Sequence, residues 1–267
     1  MIQEGVLRAI ARLGAEALEI EKRTDIGKKE GYLSNPTTAL AYFLRRLFYR
    51  GRADWLSDIY AEAAIHEVAN FVEQNGWEAL VSIEQDHDPI GLLKTSPRGY
   101  TFPRADIKMV CDSLRLVARL SEHNVVLHTK QCIETRETAR LYEEIVRIRY
   151  VKDKLACLFL RDTASLFDLF ETIDRDEIRY FLPVDTWVRQ LCKRFGLVGD
   201  VSDNNSFKDA MIRTCGGVAP PASPIYFDHG LWVLSQMTYT VRNLELVRNN
   251  LESLRAIRDS RILETGS

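Results

Sequence analysis

The helical spacing of apolar residues is the feature that most constrains the fold of this chain. Hydrophobic positions recur every three or four residues over most of the 267 residues, and this spacing places them on one face of an α-helix. Glycine and proline, which interrupt helices, number only 14 and 8. The pattern predicts an all-α protein in which the apolar faces form the core.

The two clearest helices are predicted in the first third of the chain. The segment NPTTALAYFLRRLFYR begins with a helix-start signal, and DWLSDIYAEAAIHEVANFVEQNG predicts a second helix that ends at Asn75 and Gly76. The apolar stripe of the first helix comprises Leu40, Phe43, Leu44, Leu47 and Phe48.

A change of pattern divides the chain into two predicted lobes. Periodicity is lost at residues 86–103, where HDPIGLLKTSPRGYTFP contains three prolines and two glycines. We expect one lobe to be formed by the chain ends, 1–90 and 225–267, and the other by 104–224. The segment TYTVRNLELVRNNLESLRAIRDSRI predicts a long charged amphipathic helix that packs back on the N-terminal helix.

Charge and hydropathy restrict the possible partners and location. The 36 basic and 38 acidic side chains give a net charge of −2, so any binding to nucleic acid requires a local basic patch. The N-terminus does not resemble a secretory signal, and no apolar run reaches the roughly 18 residues of a membrane helix. These features predict a cytoplasmic protein without a membrane segment.

Cysteines and histidines give no indication of a metal site or cofactor. The five cysteines are widely spaced without a C-x-x-C pair, which argues against disulfides, zinc and iron–sulfur clusters and favours buried thiols. The DHD triplet at Asp86 to Asp88 lacks a second ligand cluster, and its neighbouring side chains point in different directions. We therefore expect no metal and no cofactor.

The segment ARLYEEIVRIRY followed by VKDKLACLFLRD predicts an amphipathic helix, a tight basic turn and a second, more deeply buried helix. Three interpretations of the turn are open. It is a solvated corner, a place where the backbone meets a phosphate, or a place where an amine is held for chemistry.

Residues after the turn resemble a known family. Lys154, Ala156, the apolar block 158–160, Val184-Asp185-Thr186 and Arg189 follow one another in the order found in the helix-hairpin-helix (HhH-GPD) DNA glycosylase superfamily. The resemblance covers about residues 136–196. The segment PIYFDHGLWVLS is similar to a late helix of the archaeal 8-oxoguanine DNA glycosylase branch, whose long lysine-to-aspartate interval resembles the 31 positions from 154 to 185.

The resemblance implies a two-lobed helical HhH-GPD fold that binds duplex DNA and removes a damaged or modified base, as a monomer without cofactors. In this family a carboxylate stabilises positive charge on the sugar, and a lysine amine that attacks the sugar adds lyase activity. These roles are expected for Asp185 and Lys154. Lys152 is the alternative nucleophile, because a shift of two residues is compatible with the sequence. The base itself is left open.

The turn departs from the family pattern. Family hairpins usually have glycines that let backbone N–H groups approach a phosphate, whereas this chain has Tyr150, Val151, Lys152 and Asp153. Basic side chains are therefore expected to replace the backbone contacts. The DNA-binding candidates are Arg147, Arg149, Lys152, Arg189 and Lys193, and Arg161 and Arg194 are expected to add to the same basic surface.

Other interpretations remain open beside this one. Asp185 after Pro183 is also typical of a helix N-cap, a role compatible with catalysis. Trp55, Trp187 and Trp232 are expected in the core rather than stacked on a base. The main alternative function is a non-catalytic helical relative that binds DNA or another protein, and an unrelated helical scaffold is a third possibility.

Overall fold

The computed structural model describes residues 4–49, 54–80, 101–197 and 203–239. Within these ranges the structure consists of α-helices with three short 3-10 helices, at Glu78–Leu80, Phe170–Thr172 and Ile178–Phe181, which confirms the all-α prediction. The α-helices are α1 (Glu4–Ile26), α2 (Lys29–Ser34), α3 (Pro36–Phe48), α4 (Asp54–Asn75), α5 (Arg104–Ala118), α6 (Val125–Glu134), α7 (Thr138–Val146), α8 (Asp153–Leu166), α9 (Thr186–Arg194), α10 (Asn204–Gly216) and α11 (Pro224–Tyr239).

Two predicted segments fall largely outside this description. Most of the linker at 86–103 and the charged amphipathic segment that begins at Thr238 lie beyond the described ranges. None of the helices in the described ranges combines the length and the apolar character that crossing a membrane requires.

The chain divides into two compact units. The end unit contains Met1–Ile26 and Asp174–Ser267, and the middle unit is Gly27–Ile173. Both chain ends therefore belong to one unit, but the boundaries differ from those expected at residues 90, 104 and 225. The physical reason is packing: α3 contacts α4, α5, α6 and α8, so the segment that follows α1 stays with the middle unit.

The end unit depends on a close crossing of α1 and α11. A methyl group on Gly14 of α1 would overlap the backbone of Tyr226 and Gly230, and one on Gly230 would overlap the carbonyl group of Ile10. Both helices are apolar on the contacting side, where Leu7, Leu13, Phe227 and Leu231 are buried. The two glycines therefore allow direct backbone contact and the burial of both apolar faces.

The structure of the middle unit confirms the two helices predicted near its start, α3 and α4. Asn35 caps α3 by accepting a hydrogen bond from the Thr38 N–H at 3.0 Å, and the whole predicted stripe of α3 is buried. Gly76, with φ at 78°, follows the end of α4. Phe43 of α3 packs against Phe159 of α8 with ring centroids 4.6 Å apart. The core of this unit thus lies where α3 meets α8.

The connections that follow α5, α6, α7 and α8 are formed without glycine. The sequence has no glycine between Gly99 and Gly196. Each turn instead places a non-glycine residue in the left-handed region, which is sterically costly for a residue with a side chain. These residues are His123 (φ 50°), Arg136 (φ 61°), Tyr150 (φ 68°) and Asp168 (φ 60°).

The crossing of α1 and α11 gives a stability prediction. Gly14→Ala should lower the free energy of unfolding by about 3 kcal/mol, because the added methyl group meets backbone atoms that cannot move aside. Gly5→Ala, also on α1, is the matched control, since nothing lies within 4 Å of its added methyl group. Chemical denaturation of both variants measures the difference, and equal stabilities would contradict the close crossing.

Candidate functional site

The hairpin consists of α7, the turn at residues 147–152 and α8. This arrangement confirms the predicted helix, tight turn and buried second helix. Ile148 and Val151 are buried, and the Val151 N–H donates to the Ile148 carbonyl oxygen at 3.0 Å. Tyr150, in the left-handed region, reverses the chain. Apolar anchoring on both sides of Tyr150 thus fixes the turn.

An ion pair attaches the hairpin to α5. Arg149 donates to the carboxylate of Asp112 through Nε at 2.7 Å and Nη2 at 3.0 Å, and its backbone N–H donates to the same carboxylate at 3.0 Å. Arg115 also pairs with Asp112. The guanidinium of Arg149 is therefore engaged in holding the turn, and a contact with DNA phosphate would have to compete with Asp112.

The ion pair also shifts the titration of Asp112. Burial alone would raise the pKa of this carboxyl group, but hydrogen bonds from Arg149 and the positive charges of Arg149 and Arg115 outweigh it and hold the pKa below its ordinary value. Asp112 is therefore ionised at neutral pH and stabilises the folded hairpin there.

The other basic residues of the turn face solvent. Arg147 and Lys152 are exposed, and within the described part of the chain neither pairs with a carboxylate. The neighbouring acid, Asp153, accepts a hydrogen bond from the Tyr142 hydroxyl at 2.9 Å. Burial and the adjacent Asp153 raise the pKa of Tyr142, so the hydroxyl stays protonated and can donate. The exterior of the turn is consequently basic.

Lys154 lies in the first turn of α8, where it is partly buried. Most of α8 is fully buried, and the side chains that keep some exposure include Lys154, Leu158 and Asp162, spaced four residues apart. This spacing places them in one row along the helix. Lys154 is therefore the first residue of the accessible stripe of α8, whereas Lys152 precedes the helix and is exposed.

The expectation that Arg161 adds to a basic surface is wrong. Its side chain is only 5% exposed and donates to Asp162 at 2.8 Å. Asp162 also pairs with Arg46 at 3.3 Å, and the Arg46 guanidinium lies 3.6 Å from the centre of the Tyr42 ring. Asp162 thus joins α8 to α3, and it also holds the buried guanidinium of Arg161. The side chain of Arg194 lies outside the described residues.

Asp185 is the N-cap of α9, as the sequence suggested. Its Oδ1 accepts hydrogen bonds from the N–H groups of Trp187 at 2.9 Å and Val188 at 3.0 Å, which satisfies donors that the helix itself leaves unpaired. Pro183 and Val184, just before it, are buried and fix its approach. Asp185 belongs to the end unit and Lys154 to the middle unit.

The two basic candidates on α9 differ in their surroundings. Arg189 donates a hydrogen bond to the side chain of Asn204, and its guanidinium lies 4.6 Å from the centre of the Phe207 ring. It therefore connects α9 to α10. Lys193, in the last turn of α9, is exposed.

Two tryptophans expected in the core are at the surface. Trp55 is 52% exposed and Trp187 is 38% exposed, so the core prediction is wrong for both. Trp232 is partly buried and stacks on His229 with ring centroids 5.5 Å apart. Trp187 follows Asp185 by two residues. The sequence held a signal for its exposure, because the buried residues Val188 and Cys192 of α9 and Phe195 just after it form one stripe, which leaves position 187 off the apolar face.

The cysteines are buried and free, as predicted. Burial, and secondarily the charge of Asp228, raises the pKa of the Cys192 and Cys215 thiols, so neither is a thiolate at neutral pH. Across the ranges that the structure describes, no group of three or more His, Cys, Asp or Glu side chains is arranged to hold a metal ion. Asp86 to Asp88 lie outside those ranges.

Comparisons of this chain with protein-family models, curated proteins and solved structures gave no match.

The anchor between Arg149 and Asp112 gives a second stability prediction. Arg149→Ala should lower the free energy of unfolding by about 2 kcal/mol at neutral pH, because it leaves a partly buried carboxylate without its hydrogen bonds. Arg140→Ala is the control, since Arg140 pairs with Glu137 and Glu144 at the exposed surface of α7 and should cost about 0.5 kcal/mol or less.

The pH dependence of Asp112→Asn tests the same anchor. Because the pKa of Asp112 is lower in the folded state, its stabilisation is present above the unfolded pKa of about 4 and is lost as pH falls through the folded value. The stability difference between wild type and Asp112→Asn should therefore narrow below about pH 4. A difference that stays constant with pH would contradict the ion pair.

Proposed function

We propose that this protein is a DNA glycosylase with lyase activity, which excises a damaged or modified base from duplex DNA. The observation that carries the proposal is the hairpin of α7 and α8, in which Lys154 occupies the first turn of the second helix. That is the position to which the sequence resemblance assigns the nucleophile. The left-handed Tyr150 lies in the stretch where family hairpins have glycine, and this supports a similar backbone path.

The proposed reaction acts on a nucleotide extruded from the duplex. The neutral amine of Lys154 forms a bond to C1′ of the sugar while the bond from C1′ to the base breaks. The electron pair of that bond leaves with the base, which takes up a proton. Opening of the sugar ring then converts the adduct to a Schiff base, with O4′ protonated to a hydroxyl group, and the Schiff base permits strand cleavage by elimination.

Burial favours Lys154 over Lys152 as the nucleophile. Lys154 is partly buried in a helix whose next three residues, 155–157, are fully buried, so its backbone is fixed and its side chain is partly shielded from water. Lys152 is exposed and lies outside the helix. A nucleophile requires a defined position, and the first turn of α8 provides one.

Asp185 is proposed to stabilise the positive charge that develops on the sugar. Its Oδ1 is held by two backbone N–H groups of α9, which fixes the position of the carboxylate. Capping and catalysis are therefore compatible, because a cap orients the carboxylate before substrate binds.

Borohydride trapping tests the proposed nucleophile. On duplexes that carry a panel of oxidised or otherwise modified bases, sodium borohydride should reduce the Schiff base and leave a covalent protein–DNA adduct that gel electrophoresis detects. Lys154→Gln should abolish the adduct and retain DNA binding. Lys152→Gln should keep it, because the exposed lysine outside the helix is not the attacking group.

Three other outcomes would change the proposal in different ways. An adduct that persists in Lys154→Gln but disappears in Lys152→Gln moves the nucleophile by two residues. Release of free base without an adduct means that water attacks the sugar and that the enzyme has no lyase step. Neither base release nor adduct on any duplex favours the non-catalytic alternative.

Asp185→Asn tests the carboxylate. Asparagine retains an oxygen that can cap α9, so the free energy of unfolding should change little, whereas base release should fall by about 10²-fold because the negative charge is lost. Single-turnover base release and thermal unfolding are measured on the same variant.

Asp203→Asn is a matched control in the same unit. Asp203 caps α10 by accepting from the N–H groups of Asn205 at 3.2 Å and Ser206 at 2.7 Å, and it has no proposed role in the reaction. Base release by this variant should therefore equal that of wild type. Equal losses in the two variants would indicate that the charge at Asp185 acts through the fold alone.

A further inference from the structure

The outer face of α4 carries acidic side chains and no lysine or arginine. This helix of 22 residues contains five aspartates and glutamates, although basic and acidic side chains are nearly equal in number in the chain as a whole. Because successive helical residues are rotated by about 100°, five of the exposed side chains fall within an arc of about 80°. They are Trp55, Asp58, Glu62, His66 and Glu73, and we call them the acidic face.

The opposite side of α4 is buried in the middle unit. Helix α4 packs on α3, and its buried side chains include Tyr60, Ala61, Ala64 and Val68. The acidic face therefore points to solvent. Trp55, at the N-terminal end of this face, is 52% exposed. Tyr49 is also exposed, and its hydroxyl donates to Asp58 at 3.1 Å, which brings a second aromatic ring to the same end.

The acids of this face form no ion pair with lysine or arginine in the part of the chain that the structure describes. This holds for Asp58, Glu62 and Glu73. In α6, by contrast, Glu134 pairs with Lys130 four residues before it at 2.6 Å. The negative charge of the acidic face is therefore not neutralised within the helix.

The spacing of the acids has a cost in helix stability. Asp58 and Glu62 are four positions apart, so they lie in one row of the helix, where like charges repel. A lysine at position 62 would instead attract the aspartate four residues before it. Helix stability therefore favours a basic residue where the chain has a glutamate, and this conflict points to a use of the face outside the fold.

We infer that the acidic face of α4 binds a basic segment of a partner protein. Trp55 is the anchor of the contact, and a lysine or arginine of the partner packs on the face of its ring. Further basic side chains of the partner pair with Asp58, Glu62 and Glu73. This binding is separate from the proposed activity on DNA, because a negatively charged surface repels nucleic acid.

Charge and dimensions define the partner. From Trp55 to Glu73 the face is about 27 Å long, since a helix rises about 1.5 Å per residue. A basic helix of similar length, with one cationic side chain per turn on its contacting side, complements the face. Tryptophan is enriched among the residues that dominate the binding energy of protein interfaces. The ring therefore gives the contact a defined position, which attraction between charges alone does not.

Binding of a synthetic basic helix tests the inference. The full chain is titrated against a fluorescein-labelled, alanine-based peptide of about 20 residues, long enough to span the face, with arginine at every fourth position. Anisotropy is followed at about 50 mM salt, and the wild type should bind saturably. Trp55→Ala should weaken binding about tenfold. Circular dichroism should show an unchanged helix content, because the side chain removed is largely in solvent.

Glu62→Lys separates binding from folding. It should weaken binding about tenfold or more, because it reverses a charge near the centre of the face. Its melting temperature should equal or exceed that of wild type, since repulsion from Asp58 is replaced by attraction. Glu143→Lys is the matched control. Glu143 is exposed on α7, outside the acidic face, so the same change of charge should alter binding by less than about twofold.

A second measurement reports on Trp55 directly. Unlabelled peptide should shift the tryptophan emission of wild type to shorter wavelength, because the indole ring leaves water, and Trp55→Phe should lose this shift. The inference would be overturned by a wild type that does not bind saturably or shows no shift, by unchanged affinity in Trp55→Ala, or by equal losses in Glu62→Lys and Glu143→Lys. Base release by Trp55→Ala should equal that of wild type, which keeps the test of the proposed function separate.

Discussion

The backbone contact between α1 and α11 is the constraint on which the arrangement of the chain depends. Gly14 and Gly230 permit a closer approach than any residue with a side chain, and the apolar faces of both helices are buried as a result. Because α1 is attached to α11, the first 26 residues join the second half of the chain, and Gly27–Ile173 forms a unit without interruption. The hairpin is the last part of that unit, and Asp185 follows in the other.

The hairpin combines a rigid interior with a basic exterior. On one side Ile148 and Val151 are buried and Arg149 is bound to Asp112. On the other side Arg147 and Lys152 face solvent. The division matters for the proposed function, because the chain as a whole is slightly acidic and any attraction of DNA would have to come from a local basic surface. Counting the arginines in the sequence overestimates the positive charge of that surface. Arg149 and Arg161 each form an ion pair with an aspartate inside the unit.

Features determined by neighbouring residues could be predicted from the sequence. Helix α3 with its Asn35 cap, the cap at Asp185 and the helices of the hairpin all follow from residues within four positions of one another. Features that join distant residues could not be predicted. Asp112 and Arg149 are 37 positions apart, and the contact of Gly14 with Gly230 depends on the crossing of helices at opposite ends of the chain.

The boundary between the lobes was predicted wrongly for the same reason, because it depends on contacts between distant helices. Proline and glycine at 86–103 mark an irregular segment, but a break in periodicity does not say which helices pack together. Packing of α3 against α8 assigns α2, α3 and α4 to the middle unit. For Trp187, in contrast, the local sequence was sufficient. The apolar stripe of α9 excludes position 187 from the core, and the general preference of tryptophan for the interior was misleading there.

Glycine is absent from residue 100 to residue 195, so the turn of the hairpin is one of several that another residue type has to form. Four turns of the middle unit use left-handed non-glycine residues, so such a turn is not by itself a functional signal. The side chains differ, however. His123 stacks on Trp77 with ring centroids 5.5 Å apart, and Asp168 pairs with Lys29 at 3.6 Å, so contacts within the unit offset their strain.

Tyr150 differs from those two residues in where its side chain lies. It keeps 47% of its surface exposed between two exposed basic residues. Histidine and aspartate are also among the residues that enter the left-handed region most readily, whereas a bulky aromatic residue is a genuine outlier there. The conformation of Tyr150 is therefore imposed by its neighbours, since Ile148 and Val151 are buried on either side of it and Arg149 is bound to Asp112.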